Sequence, residues 1–113
     1  MNIKIKDQEG VAICHISGEI NIDTIAELKK AFKKIIDNKT RKVLLNFEAV
    51  DYIDSAGLAC LIELSRNLKS VQGIMFLSGL NPKVSSVLSI TKLDRVFKIF
   101  DTEEEALRNF YGY

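Results

Sequence analysis

The feature that most constrains this chain is Val43-Leu44-Leu45-Asn46-Phe47, a run that is apolar at every position but Asn46. It shows no alternation, so it has no face to give to water. A strand of this kind has to be covered on both sides, as an interior parallel strand of an α/β sheet is. Ile74-Met75-Phe76-Leu77-Ser78 has the same character. Between such runs the apolar period changes to that of a helix. Ile25, Leu28, Phe32, Ile35 and Ile36 recur at helical spacing, with Lys and Glu on the other face. Leu58, Leu61, Ile62 and Leu68 do so again, with Ser65 between them and Gly73 as the stop.

The flanking segments complete the order. Ile3 and Ile5 alternate with Lys4 and Lys6, the period of a half-exposed strand. Asp7-Gln8-Glu9-Gly10 reads as a turn into a second strand, Val11 to Ser17, which predicts an antiparallel hairpin. Gly18-Glu19-Ile20-Asn21 leaves that strand. Thr24 with Glu27 fits a capping box, Asp23 is a rival N-cap, and Asn38 suits a left-handed helix end. Glu48 to Ile53 is expected to be a loop. Asp54 is a good N-cap, with Ser55 at or next to the first helical position. Asn81-Pro82 reads as N-cap plus first-turn Pro, and Val84, Val87 and Leu88 turn a third helix inward. Val96 to Phe100 is the expected last strand. Thr102 then opens a fourth helix, with Glu103, Glu104 and Glu105 at the positive end of its dipole. The order β-β-α-β-α-β-α-β-α predicts one α/β domain over residues 1–113, with a mostly parallel mixed sheet, an antiparallel N-terminal edge strand and four helices.

Composition excludes several functions. Of the 113 residues, 47% are hydrophobic and 27% charged, which is ordinary for a folded chain and not for a disordered one. Sixteen basic residues against 15 acidic ones leave a net charge of +1, without the basic stripe that neutralises nucleic-acid phosphates. Lys29, Lys30, Lys33 and Lys34 read as a solvated helix face. No apolar run approaches the ~20 residues that span a bilayer, and the N-terminus lacks the apolar core of a secretory signal, so a cytoplasmic protein with no membrane partner is expected. Cys14 and Cys60 form no Cys-x-x-Cys, and His15, the one histidine, has no ligand cluster around it. Neither a metal nor a cofactor is expected, and both cysteines read as small core residues.

No enzyme motif appears either. The chain has no P-loop, no Gly-x-Gly-x-x-Gly and no Gly-x-Ser-x-Gly elbow. A phospho-Asp receiver would place paired acids after the first strand and an Asp at the central strand's end, where Asn46-Phe47 stands instead. The stretch that does carry a chemical possibility is Tyr52-Ile53-Asp54-Ser55-Ala56-Gly57-Leu58-Ala59, beyond the central strand's carboxyl end. A hydroxyl at a helix start sits beside free backbone N–H groups and the positive dipole end. A phosphate on Ser55 would be tolerated there. Ala56 and Gly57 are small enough to let a partner approach the backbone. The plainer account is that Asp54 and Ser55 only cap a helix and Gly57 packs near a strand.

Asp54-Ser55-Ala56-Gly57-Leu58 resembles the Asp-Ser-Ser/Ala/Thr-Gly-Leu signature of bacterial anti-sigma factor antagonists, the STAS-domain family. The likeness runs along nearly the whole chain. Gly18-Glu19-Ile20 is similar to the family's Gly-Glu-Leu/Ile, Val43 to Phe47 to its central strand, and Asn81-Pro82 and Leu93 to Ile99 to its third helix and last strand. The resemblance implies a STAS-type fold and a regulator that is not itself an enzyme. Unphosphorylated, it would bind an anti-sigma factor that is also a serine kinase, and so release a sigma factor for transcription. The kinase, carrying the ATP, would phosphorylate Ser55 and the pair would separate; a serine phosphatase would reset the switch. Ile53, Asp54, Ala56, Gly57 and Leu58, with Asn21 and Asp23 on the neighbouring loop, would form the partner surface. Many relatives carry Asp where Asn21 stands, and Asp23 is the nearest acid. STAS-like chains also serve as scaffold subunits that are never phosphorylated, or as partners of lipid-transport ATPases. Weak nucleotide binding by the sheet-end loops is a further alternative.

Overall fold

The computed structural model describes residues 1–111. Strand β1 (Asn2–Gln8) turns through Glu9 and Gly10, both at positive φ, into β2 (Val11–Ile20). Then follow α1 (Ile25–Asp37), β3 (Lys42–Ile53), α2 (Ser55–Ser70), β4 (Ile74–Ser78), α3 (Pro82–Ile90), a 3₁₀ turn (Leu93–Arg95), β5 (Lys98–Phe100) and α4 (Glu103–Phe110). The sheet order is β1-β2-β3-β4-β5, with β1 antiparallel to β2 and the rest parallel. This is the expected mixed sheet with its antiparallel edge and four helices.

Because the parallel strands follow one another in sequence order, successive crossovers of one hand place their helices on one face. Leu28, Phe32 and Ile35 of α1, Leu61, Leu64 and Leu68 of α2, and Val84 and Leu88 of α3 pack there on Cys14, Val43, Leu45 and Leu77. Among the described residues the opposite face is covered by α4, whose Ala106, Leu107 and Phe110 close over Val11, Ile13, Leu44 and Phe76. Leu44 and Leu45 thus serve different cores, which is why β3 needs an apolar residue at every step. Phe110 stacks on Phe76, with ring centroids 4.0 Å apart and planes inclined by 24°. Both cysteines are free and buried. Burial pushes the Cys14 thiol up to about 12. It also raises that of Cys60, the nearby Lys29 lowering it and Glu63 raising it further.

The structure departs from the sequence expectations at several ends. Glu48 to Ile53 is not a loop, since β3 continues to Ile53, and β2 continues to Ile20. From His15 to Ile20 the chain advances five residues, while β3 advances seven between their partners Asn46 and Ile53. Two bulges absorb the difference. They set the buried residues Phe47, Val50 and Ile53 three apart instead of two, which hides the strand period. The helix α1 is not opened by a Thr24–Glu27 box. Asn21 Oδ1 accepts from Thr24 N (3.2 Å) while Thr24 Oγ1 accepts from Asn21 N (2.9 Å), so the reciprocal pair lies three residues earlier. The left-handed residue after α1 is Lys39 and not Asn38, and after α2 it is Gln72. Gly73 matters instead for close approach, as a Cβ there would lie 2.8 Å from the Arg41 carbonyl oxygen. Val96 is outside the last strand, which begins at Lys98.

Phe110 is fully buried and forms much of what α4 contributes to its core. Phe110→Ala is expected to cost about 3–5 kcal/mol, the range for deleting a core aromatic. Urea denaturation should show this as a lowered midpoint with loss of α4 protection in hydrogen exchange.

Candidate functional site

Strands β2 and β3 end together, at the Ile20–Ile53 pair. Asp54 follows immediately, and its N–H donates to the Ile20 carbonyl (3.0 Å) as the last rung between the two chains. With φ −97° and ψ −175°, its backbone is extended, as an N-cap requires. Its side chain then makes two connections. Oδ1 accepts from Gly57 N (2.9 Å), satisfying a first-turn donor of α2. Oδ2 accepts from Ile22 N (3.1 Å) in the loop before α1. One carboxylate therefore fixes both the start of α2 and the position of the neighbouring loop.

Ser55 is the first residue of α2 and is exposed. Among the described residues, nothing hydrogen-bonds its hydroxyl or the N–H groups of Ser55 and Ala56. The tip of the helix thus offers a free hydroxyl beside donors directed outward, at the positive end of a 16-residue dipole.

The residues expected around Ser55 divide into two groups. Asp54 and Ala56 are half-buried, Asp23 is exposed, and Asn21 is half-buried in the adjacent loop. Asn21 is a capping residue here: its Oδ1 accepts from Asp23 N (2.9 Å) as well as from Thr24 N, and its Nδ2 donates to Glu19 Oε2 (3.2 Å). Ile53, Gly57 and Leu58, by contrast, face the core and are buried. Of the two accounts of Gly57, an opening for a partner and packing near a strand, the structure bears out the second. A Cβ there would lie 2.6 Å from Ile53 Cγ1, 2.8 Å from Ile20 Cγ2 and 2.9 Å from the Ile20 carbonyl oxygen. Glycine at this position lets α2 sit down on the ends of β2 and β3, so these three residues hold the tip in place from beneath.

Sequence reasoning missed two participants. Ile22, 66% exposed, is carried on the loop whose N–H Asp54 anchors. A lone apolar residue in a polar loop was the available signal. Asn81 caps α3 by accepting from Val84 N (2.8 Å), and its Nδ2 also donates to the carbonyls of Val50 (3.0 Å) and Asp51 (3.2 Å). The start of α3 is thereby tied to the bulged end of β3, the same segment that leads into Asp54.

Comparison with known proteins agrees with this architecture. The family model of the STAS domain matches residues 2–106. The chain belongs to the STAS domain family. A relative from Thermotoga neapolitana, provisionally named an anti-sigma factor antagonist and a homologue of TM1081, is 37% identical over 92% of this chain and 93% of its own length. The anti-sigma-F factor antagonist RsfB of Mycobacterium tuberculosis is 26% identical over 99% of this chain and 91% of its own. Among solved structures, TM1081 of Thermotoga maritima superposes with a TM-score of 0.90 at 32% identity, over 95% of this STAS domain and 92% of that chain. The anti-sigma factor antagonist SpoIIAA in its unphosphorylated form shares the fold, with a TM-score of 0.78 at 20% identity, over 99% and 100% of the two chains. In this STAS domain no described helix is long and apolar enough to cross a membrane.

Two substitutions separate the roles of cap and seat. Asp54→Ala removes the acceptor of both Gly57 N and Ile22 N and is expected to cost about 1–2 kcal/mol, the upper part of the N-cap range. Gly57→Ala adds a methyl group where three atoms already lie too near and is expected to cost about 1–3 kcal/mol, despite alanine's better helix propensity. Both values are to be read from chemical denaturation midpoints at unchanged slope.

Proposed function

We propose that this STAS domain is an anti-sigma factor antagonist, a cytoplasmic binding protein and not an enzyme, whose affinity for its partner is set by phosphorylation of Ser55. The single observation that carries this is the exposed, unbonded hydroxyl of Ser55 on the first residue of α2. The names of the relatives support an anti-sigma factor as the partner. In the unphosphorylated state the partner docks on the tip formed by Ser55, Ala56, the edge of Asp54 and the loop carrying Ile22 and Asp23. Ile22 supplies the apolar contact. Docking withdraws the anti-sigma factor from its sigma factor, and transcription follows.

The partner is also the kinase, and it binds the ATP. The Ser55 oxygen attacks the γ-phosphorus and passes its proton to a base of the kinase, the bond from the γ-phosphorus to the bridging oxygen breaks, and ADP leaves with the partner. A serine phosphatase hydrolyses the ester and returns the hydroxyl. The added group carries about −1.5 to −2 charges. Within the chain this charge meets free N–H donors and the helix dipole, worth about 0.3–1 kcal/mol in its favour. The neighbouring Asp54 repels it equally in the free and docked states, so what weakens docking is the acids the partner brings to the interface. Each such unit pair at about 6 Å costs roughly 2–3 kcal/mol at an effective dielectric near 20. A change of 1.4 kcal/mol is about tenfold in affinity, so one phosphate suffices to separate the pair while leaving the fold alone.

Incubation with the cognate kinase and ATP should place a single phosphate on Ser55, located by mass spectrometry of proteolytic fragments. Ser55→Ala should bind the unloaded partner as wild type does and never be released by ATP. Ser55→Asp should bind at least about tenfold more weakly, with folding stability within about 0.5 kcal/mol of wild type. Phosphate on another residue, or wild-type affinity of Ser55→Asp in calorimetry, contradicts the proposal.

A further inference from the structure

The face of the sheet away from α2 holds a second polar site. On β2, β3 and β4 the residues Ile13, Leu44 and Phe76 lie side by side in the α4 core. Two residues further along each strand, on the same face, stand His15, Asn46 and Ser78, again in register. Three adjacent strands thus change from apolar to polar at one level, which is the end of β4 and the middle of β2 and β3. Above this row a recess of about 590 Å³ opens between the row, the Gly79–Leu80 turn after β4 and the start of α4. That volume suits a small organic molecule.

The floor of the recess is organised but incomplete. Glu103, the first residue of α4, accepts at Oε1 from both His15 Nε2 (2.7 Å) and Asn46 Nδ2 (3.0 Å). Asn46 Oδ1 in turn accepts from Glu48 N (2.9 Å). Ser78 lines the same recess and is 0% exposed, and among the described residues its Oγ has no hydrogen-bond partner. A buried hydroxyl left unpaired is costly, and a serine holding a place that Phe76 and Leu77 show to be suited to carbon needs a reason.

The rim determines what such a ligand is. Glu48, Asp101, Glu103 and Glu104 all line the recess, and among the described residues its one basic group is the His15 ring. The dipole of α4 accounts for Glu103 and Glu104 as helix-start acids, but not for Glu48, which belongs to β3, or for Asp101, which precedes the helix. The described residues contain no grouping of three or more His, Cys, Asp or Glu able to hold a metal ion. The acceptors suit a ligand rich in N–H donors. From the in-register row, the unpaired Ser78 and the acidic rim we infer that this recess binds a small organic cation through an ammonium or guanidinium group. The cation lies against the Glu103 carboxylate and donates to Ser78 Oγ. This site is separate from Ser55, which lies on the helix-covered face opposite.

Agmatine, which carries one amine and one guanidinium, is the probe. Titrated into the full ¹⁵N-labelled chain at constant ionic strength, it should shift the amides of Asn46, Gly79 and Glu103 saturably, with a Kd of about 1 mM or tighter. Glu103→Gln keeps the acceptor of His15 and Asn46 and removes only the charge; it should weaken agmatine at least about tenfold. Ser78→Ala removes the unpaired hydroxyl, so the ligand-free melting temperature should be no lower than that of wild type while agmatine binds more weakly. Glu63→Gln, an exposed acid on α2, should bind as wild type. Absence of saturable shifts, or unchanged affinity in Glu103→Gln, overturns the inference. Saturation by the blocked tripeptide acetyl-Gly-Arg-Gly-amide with none by agmatine overturns a free small cation in favour of a protein side chain.

Discussion

The structure depends on the pairing of β2 with β3, carried past the level where the other strands stop and ended at Ile20 and Ile53. That pairing brings two loops to one place, because each strand delivers its own connection at the same rung. Asp54 then closes the arrangement with four hydrogen bonds, to Ile20, Ile22, Gly57 and Leu58, on either side of the rung. Without the extension of β3, Ser55 would emerge level with Ser78 and far from the loop after β2. The two bulges in β3 are what make the extension compatible with a buried Phe47, Val50 and Ile53.

The same geometry explains why a charge is tolerated at the tip. Everything that holds α2 in place lies below Ser55: the seat made by Gly57 on Ile20 and Ile53, and the apolar row from Leu58 to Leu68. Everything above it faces solvent. A modification at that oxygen alters the surface a partner meets and leaves the packing untouched. On the other face the chemistry is reversed. There the polar groups are drawn in toward the floor, and α4, half the length of α2, covers the core only up to the level of Phe76.

Much of this was legible in the chain. The unbroken apolar run from Val43 to Leu45 requires cover on both faces, and the helix-period stripes supply it. The short-range hydrogen bonds of Asp54, Asn81 and Thr102 follow from residue types that cap wherever a helix is free to start. The illegible parts have separate causes. Glu48 to Ile53 was hidden because bulges shift the burial period from two to three. The box at Asn21 and Thr24 was displaced because β2 ran on to Ile20 and moved the loop. For Gly57 the residues left two accounts open, an approach for a partner or packing near a strand, and the structure bears out the second, because size says nothing of which side of a helix a residue faces.

By itself the sequence determined the order and type of elements, the double cover of the central strands, and the presence of Ser55 at a helix start, because these rest on periodicity and on caps formed within a few residues. Only the tertiary structure decided that Asp54 holds a loop 32 residues away, that Gly57 is a seat, and that His15, Asn46 and Ser78 form one row. Those facts depend on strand register, and register is set by the packing of the whole sheet and not by any one strand's residues.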